Sequence, residues 1–188
     1  MIEEKQQFEE VWDKGDYRRG STAQRLAPFL RKIIPPGSVI NDYGSGTGRV
    51  ELILHQCGYR VNMVDIADNA LEPEARALIG NGLTYTVSPL ESLPADFPVV
   101  DWGICINVLM LVAPERLDLI LSEIRRTARN VIIEVYDMDD NRLGKNWTRI
   151  KGKADFWREA VARHWPVAES HPSPEHPRRY ITIGRSEK

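Results

Sequence analysis

Three glycines alternate in Asn41-Asp-Tyr-Gly-Ser-Gly-Thr-Gly-Arg49, directly after the apolar pair Val39-Ile40 and directly before Val-Glu-Leu-Ile-Leu. Glycines at this spacing let the chain take positive φ angles and let a ligand approach the backbone without meeting a Cβ. Between a strand and a helix, such a turn leaves the N–H groups of the first helical turn pointing forward, where a polar or anionic group can be held. An isolated Gly-x-Gly is equally well explained as a surface loop. Asp65 tips the balance: it lies twenty-one positions after Gly44, near the distance at which an acidic side chain reaches ribose hydroxyls. Together the turn and Asp65 point to a nucleoside. A nicotinamide dinucleotide is opposed by Arg49, which stands where that fingerprint needs a small residue. ATP is opposed by Gly48-Arg49-Val50, because a phosphate-binding loop needs Gly-Lys followed by Ser or Thr. What remains is acidic-x-Gly-x-Gly-x-Gly, with Asp42 placed where a cationic ligand group is welcome.

The elements that must position these residues alternate along the chain. Glu3 to Asp13 reads as a helix, and Ser21-Thr-Ala-Gln24 has the form of a capping box before Leu26, Phe29, Leu30 and Ile33. Pro35-Pro36-Gly37-Ser38 ends that second helix. Strands are expected at Val39–Asp42, Tyr59–Asp65, Leu83–Val87, Val99–Asn107 and Val131–Val135. Helices are expected at Arg49–Gln56, Asp68–Leu78, Pro114–Arg126 and Lys153–Trp165. Val167–Ser170 and Tyr180–Ile183 read as short strands around a Pro- and His-rich loop. This alternation implies a parallel sheet covered on both faces, with ligands beyond the carboxyl ends of its strands.

With 188 residues, 42% of them hydrophobic, the chain suits one domain spanning 1–188, in which 1–35 forms an N-terminal helical cap. A net charge of −2 gives no electrostatic reason to expect a nucleic-acid partner, and the pairs Arg18-Arg19, Arg125-Arg126 and Arg178-Arg179 read as solvated charge. No signal peptide and no membrane-length apolar run are visible, so a cytoplasmic protein is expected. Cys57 and Cys105 lack metal-type spacing and read as buried thiols.

At DYGSGTG and in its order of elements, the chain resembles the class I S-adenosylmethionine-dependent methyltransferases. The resemblance implies an α/β fold: a three-layer αβα Rossmann-like sandwich whose seven-stranded, mostly parallel sheet has the order 3-2-1-4-5-7-6, with the last strand antiparallel. It implies S-adenosyl-L-methionine as cofactor, held by Asp42, Tyr43, Gly44, Ser45, Gly46 and Gly48. Asp65 would hold the ribose, Ile66 would also contact the cofactor, and Leu90 and Glu91 would face the adenine after Pro89, which replaces the family's usual aspartate. Asn107 and Val108 would border cofactor and substrate. Tyr17 and Arg18 would belong to a lid folded over the cofactor, with Arg18 clamping its carboxylate, while Trp12, Tyr136 and Asp137 would meet the substrate. No general acid or base is assigned, because a sulfonium is already a good leaving group and alignment carries much of the reaction. The acceptor is expected to be a small molecule; the motif of nucleic-acid amino-methyltransferases is absent at Asn107-Val108. A catalytically silent protein that binds S-adenosylmethionine or S-adenosylhomocysteine is the alternative. Asp137, Asp139, Asp140 and Asn141 could suit Mg²⁺, but the fourth-strand position that would complete such a site is Asn107, so no metal is expected.

Overall fold

Apolar, β-branched segments bounded by glycine and proline build the centre of the molecule, seen here in a computed structural model that describes residues 2–139, 147–173 and 176–187. The strands are β1 (Val39–Tyr43), β2 (Arg60–Asp65), β3 (Leu83–Val87), β4 (Val100–Ile106), β5 (Ala128–Tyr136), β6 (Val167–Ser173) and β7 (His176–Arg185). They form one sheet of order β3-β2-β1-β4-β5-β7-β6. β1 to β5 run parallel, and β7 pairs antiparallel with both β5 and β6.

Helices α1 (Ile2–Asp13), α2 (Gly15–Arg19) and α3 (Ala27–Ile33) precede the sheet, and α4 (Arg49–Gln56), α5 (Pro73–Arg76), α6 (Leu117–Thr127) and α7 (Ala154–Ala162) connect its strands. On one face Ile40, Met63, Ile104 and Ile132 pack with Leu30 of α3 and with Val50 and Leu54 of α4. On the other, Tyr43, Cys105, Ile133 and Val135 pack with Leu117, Ile120, Leu121 and Ile124 of α6 and with Trp157 of α7. Burying each aliphatic side chain of α6 contributes roughly 1.5–3 kcal/mol, which explains why this helix keeps its apolar stripe at three- and four-residue spacing.

Several boundaries differ from the sequence expectation. The helix expected over Asp68–Leu78 is broken: a 3-10 turn at Asp68–Ala70 and then α5, with Pro73 at its start because proline has no N–H to donate inside a helix. The capping box at Ser21 does not form; Thr22 precedes a 3-10 turn at Ala23–Leu26 and makes no capping bond. α2 was not expected, and β5, β6 and β7 all run longer than their apolar cores, so the histidine- and proline-rich stretch is largely strand. Cys105 is buried, whereas Cys57 at the end of α4 is only half-buried. Asp140 and Asn141 lie outside the described residues.

Candidate functional site

The carboxyl ends of β1, β2, β4 and β5 open into a cleft that encloses about 1170 Å³, open solvent at its mouth included. The glycine turn forms its floor. Gly44, Gly46 and Gly48 have φ of 82°, 54° and 77°, a backbone region that side chains disfavour. Gly44 and Ser45 donate their N–H groups to the Val64 carbonyl at 2.7 and 3.2 Å, which ties the turn to β2. The glycines differ in what they spare. A Cβ on Gly44 would lie 2.4 Å from Val108 Cγ2, and one on Gly48 would lie 2.7 Å from Ala75 Cβ of α5. One on Gly46 would meet the Trp12 ring at 3.1 Å. Arg49, which opposed a dinucleotide, turns aside to Glu72 at 2.6 Å.

Asp42 ends in the cleft almost fully buried, and its Oδ1 has no hydrogen-bond partner among the described residues. Burial, and secondarily the charge of Asp65, push its carboxyl well above the usual carboxylate range. Asp65 accepts the Gly46 N–H at 2.8 Å on Oδ2 and the Ala67 N–H at 2.9 Å on Oδ1. Burial raises its pKa too, opposed by these backbone bonds. The Ile66 N–H is a third backbone donor to this carboxylate, so of its roughly four lone-pair sites one remains for a ligand hydroxyl. Two buried carboxylates with raised pKa values at one cleft floor favour a ligand that brings positive charge and hydroxyl donors.

Asn107 follows β4 with φ 60°, the one positive φ among the described non-glycine residues. Its N–H donates to the Glu134 carbonyl at 2.8 Å, and its side-chain Oδ1 is buried with no hydrogen-bond partner among the described residues. A strained residue with an unsatisfied oxygen at a cleft is a common mark of a binding position. Across the floor, Trp12 of α1 packs on Tyr17 with ring centroids 4.8 Å apart, and both line the cleft. Arg116 binds Glu4 of α1 and Glu91 of the turn after β3, so one guanidinium fastens the helical cover to the cleft wall.

Of the residues expected from sequence, Trp12, Tyr17, Asp42, Gly44, Ser45, Gly46, Asp65, Ile66, Leu90, Glu91, Asn107, Val108 and Tyr136 line the cleft. Four others are placed elsewhere. The Tyr43 ring points to the opposite face of the sheet, as its alternation with Asp42 demands, and its hydroxyl lies 2.7 Å from Thr127 Oγ1. Gly48 packs under α5. Arg18 donates to the Ala70 and Asn69 carbonyls at 2.8 and 2.6 Å, so it tethers the cover to the turn after β2 rather than clamping a ligand. Asp137 turns to Arg178 Nε at 2.8 Å. The Glu91 carboxylate, although in the cleft, is engaged by Arg116. Sequence reasoning missed Phe8, Thr22, Thr47, Arg116 and Arg179, which also line it.

The family model for a methyltransferase domain matches residues 41–131. Among solved structures the chain is similar to the 1,6-didemethyltoxoflavin-N1-methyltransferase of Burkholderia thailandensis, crystallised with 1,6-didemethyltoxoflavin and S-adenosylhomocysteine. The two share 19% identity over 94% of this chain and 83% of that one, with a TM-score of 0.71. It is also similar to a TehB-like SAM-dependent methyltransferase from Corynebacterium glutamicum, at 17% identity over 100% of both chains and a TM-score of 0.68. A third is the magnesium protoporphyrin IX methyltransferase of Synechocystis with bound S-adenosylhomocysteine, at 19% identity, 90% and 83% coverage and a TM-score of 0.62. At such identities the likeness carries the fold. No curated protein matches the sequence.

Proposed function

We propose that the chain is a class I S-adenosylmethionine-dependent methyltransferase, which binds S-adenosylmethionine in the cleft and transfers the methyl group directly to a small-molecule acceptor; the methyltransferase-domain match and the strand order support this reading. The observation that carries this reading is the buried Asp42 carboxylate, which lines the cleft beside the glycine turn and has one oxygen, Oδ1, without a hydrogen-bond partner among the described residues. An ammonium group would satisfy that oxygen and return Asp42 to its charged form. When bound, the cofactor supplies an electrophilic methyl group on a sulfonium. Asp65 would accept a ribose hydroxyl on its remaining lone pair, and the backbone at Leu90 and the side chain of Ile66 would border the adenine. Trp12 and Tyr17 cover the cleft and exclude water. Since the acceptor wall at Val108, Leu111 and Val112 is apolar, it aligns the nucleophile rather than supplying acid or base.

The cleft extends from the glycine turn to the apolar wall at Val108, Leu111 and Val112, so cofactor and acceptor would share one opening. The acceptor bound in the Burkholderia enzyme is likewise a small molecule. The net charge of −2 gives no phosphate-binding face that would favour nucleic acid. No helix among the described residues is long and apolar enough to cross a membrane, in keeping with the cytoplasmic location we propose.

Calorimetric titration tests the cofactor assignment: S-adenosylhomocysteine should bind and NAD should not. Asp65→Ala should weaken S-adenosylhomocysteine by about 1–3 kcal/mol through lost ribose hydrogen bonds. Unchanged affinity in a folded variant removes Asp65 from the site. Transfer of labelled methyl from S-adenosylmethionine to a small-molecule extract separates an enzyme from a protein that only holds the cofactor.

Transfer should also survive EDTA and gain little from added Mg²⁺. Asp137 is paired with Arg178, and Asp139 with Lys151 at 2.9 Å, so a metal would have to displace two cations to reach them. Activity lost to chelation and restored by Mg²⁺ would place a metal at this segment.

A further inference from the structure

Arg179 stands where β7 meets the cleft, directly opposite Tyr136 of β5 in the antiparallel register. Adjacent residues of a strand point to opposite faces, which separates the doublet: Arg178 turns to Asp137, while Arg179 reaches the cleft wall. Its guanidinium lies 6.0 Å from the centroid of the Tyr136 ring. Nη1 donates to Glu134 Oε2 and Nη2 to Thr22 Oγ1, each at 3.4 Å. Glu134 is fully buried in β5 and accepts the Ser173 hydroxyl at 2.9 Å on its other oxygen. A buried carboxylate thus anchors a guanidinium that is itself a fifth exposed. Five donors in a planar fork exceed what these two long contacts use.

Among the described residues, the other arginine of the cleft, Arg116, is engaged by two carboxylates, Glu4 and Glu91, and the remaining charged groups of the lining, Asp42 and Asp65, are acidic. Of these groups, Arg179 is the one with donors to offer an anion entering the cleft. Building on the methyltransferase reading above, we propose that Arg179, with Thr22, is the subsite for a carboxylate carried by the methyl acceptor, whose apolar body rests on Tyr136, Val108 and Leu111. A carboxylate is also present on the cofactor, but Asp42 fixes that end at β1. Glu134, which holds the guanidinium, is on β5, two strands away in the order β1-β4-β5, or about 10 Å at the usual strand spacing. An amino acid's carboxylate lies within a few ångströms of its ammonium group, so the acceptor is the better source.

Benzoate and benzamide serve as probes that differ in charge and little in shape. Each is titrated into protein saturated with S-adenosylhomocysteine and followed by ligand-observed NMR. Benzoate should bind at least fivefold more tightly than benzamide, and Arg179→Gln should abolish that preference while S-adenosylhomocysteine affinity stays within twofold. Equal binding of the two probes, or binding of neither, overturns the proposal. A folded R179Q that loses S-adenosylhomocysteine assigns the arginine to the cofactor and overturns it as well. If R179Q fails to fold because the buried Glu134 loses the guanidinium beside it, the double variant E134Q/R179Q removes both charges and is judged by the same two readouts. Failure of the wild-type protein to bind S-adenosylhomocysteine is a separate result, which counts against the cofactor reading itself.

Discussion

Asp42→Asn should lose about 10- to 100-fold in affinity for S-adenosylhomocysteine, the loss expected for one hydrogen-bonded charge pair of about 1.5–3 kcal/mol, and should at the same time raise the melting temperature of the free protein. Both effects come from one atom's surroundings. The carboxylate is buried, its Oδ1 is unpartnered, and Asp65 adds a second negative charge nearby. In the free protein this disfavours the ionised form, so the folded-state pKa stands above the unfolded one. Between those two values the native state holds a proton that the unfolded chain has released, and stability falls as pH rises. A neutral amide removes that contribution, so the stabilisation by D42N should be small at acidic pH and grow toward neutrality. Binding runs the other way: an ammonium ligand favours ionised Asp42, and wild-type affinity should climb with pH through the raised pKa. D42N should flatten that climb, leaving only the part that belongs to Asp65, whose pKa is also raised by burial. Thermal melts and titrations followed from the ordinary carboxylate range upward in pH measure both slopes. A variant that binds normally, or is less stable than wild type at neutral pH, would remove Asp42 from the cation site.

Local chemistry in the sequence located the floor of the cleft, and long-range pairing built its far wall. Asp42, the glycine turn and Asp65 are close in sequence and belong to adjacent parallel strands, so spacing alone brings them together. Tyr43 shows the limit of reading a motif as a block: strand alternation sends it away from its neighbour Asp42. Arg18 was visible as a cation near a lid, but its partners are carbonyls at Asn69 and Ala70, more than fifty residues distant, which no local pattern reveals. Arg179 was missed because its place depends on the antiparallel register with β5, and the sequence pattern starts β7 only at Tyr180, whereas the strand begins at His176. The signal that would have found it is the doublet itself, since two arginines entering a strand must face opposite sides. Glu4, Arg116 and Glu91 likewise meet only when α1, α6 and the turn after β3 have folded together.

Gly44→Ala should be the most damaging single methyl group that can be added to this turn near the acceptor wall. At φ 82° an alanine is strained by about 1–3 kcal/mol. Its Cβ would also stand 2.4 Å from Val108 Cγ2 and 3.0 Å from Cγ1, an overlap that forces movement and costs a further 1–3 kcal/mol or so. Movement is poorly available: Val108 is β-branched, follows the strained Asn107, and the Gly44 N–H is fixed to the Val64 carbonyl. For a chain of this length each kcal/mol lowers the melting temperature by about 2–4 °C. The two causes separate in a double-mutant cycle. Val108→Ala removes both offending methyl groups and leaves only the Val108 Cβ, 3.2 Å away, so V108A added to G44A should recover most of the steric share, although V108A alone creates a small cavity and destabilises wild type. The strain at φ 82° should persist in the double variant. Gly48→Ala offers the contrast, because its Cβ would press on Ala75 Cβ at 2.7 Å, where no further truncation short of glycine gives room. Additive losses in G44A/V108A would mean that the turn and the segment after β4 do not meet as described, and the floor and the acceptor wall would then belong to separate sites.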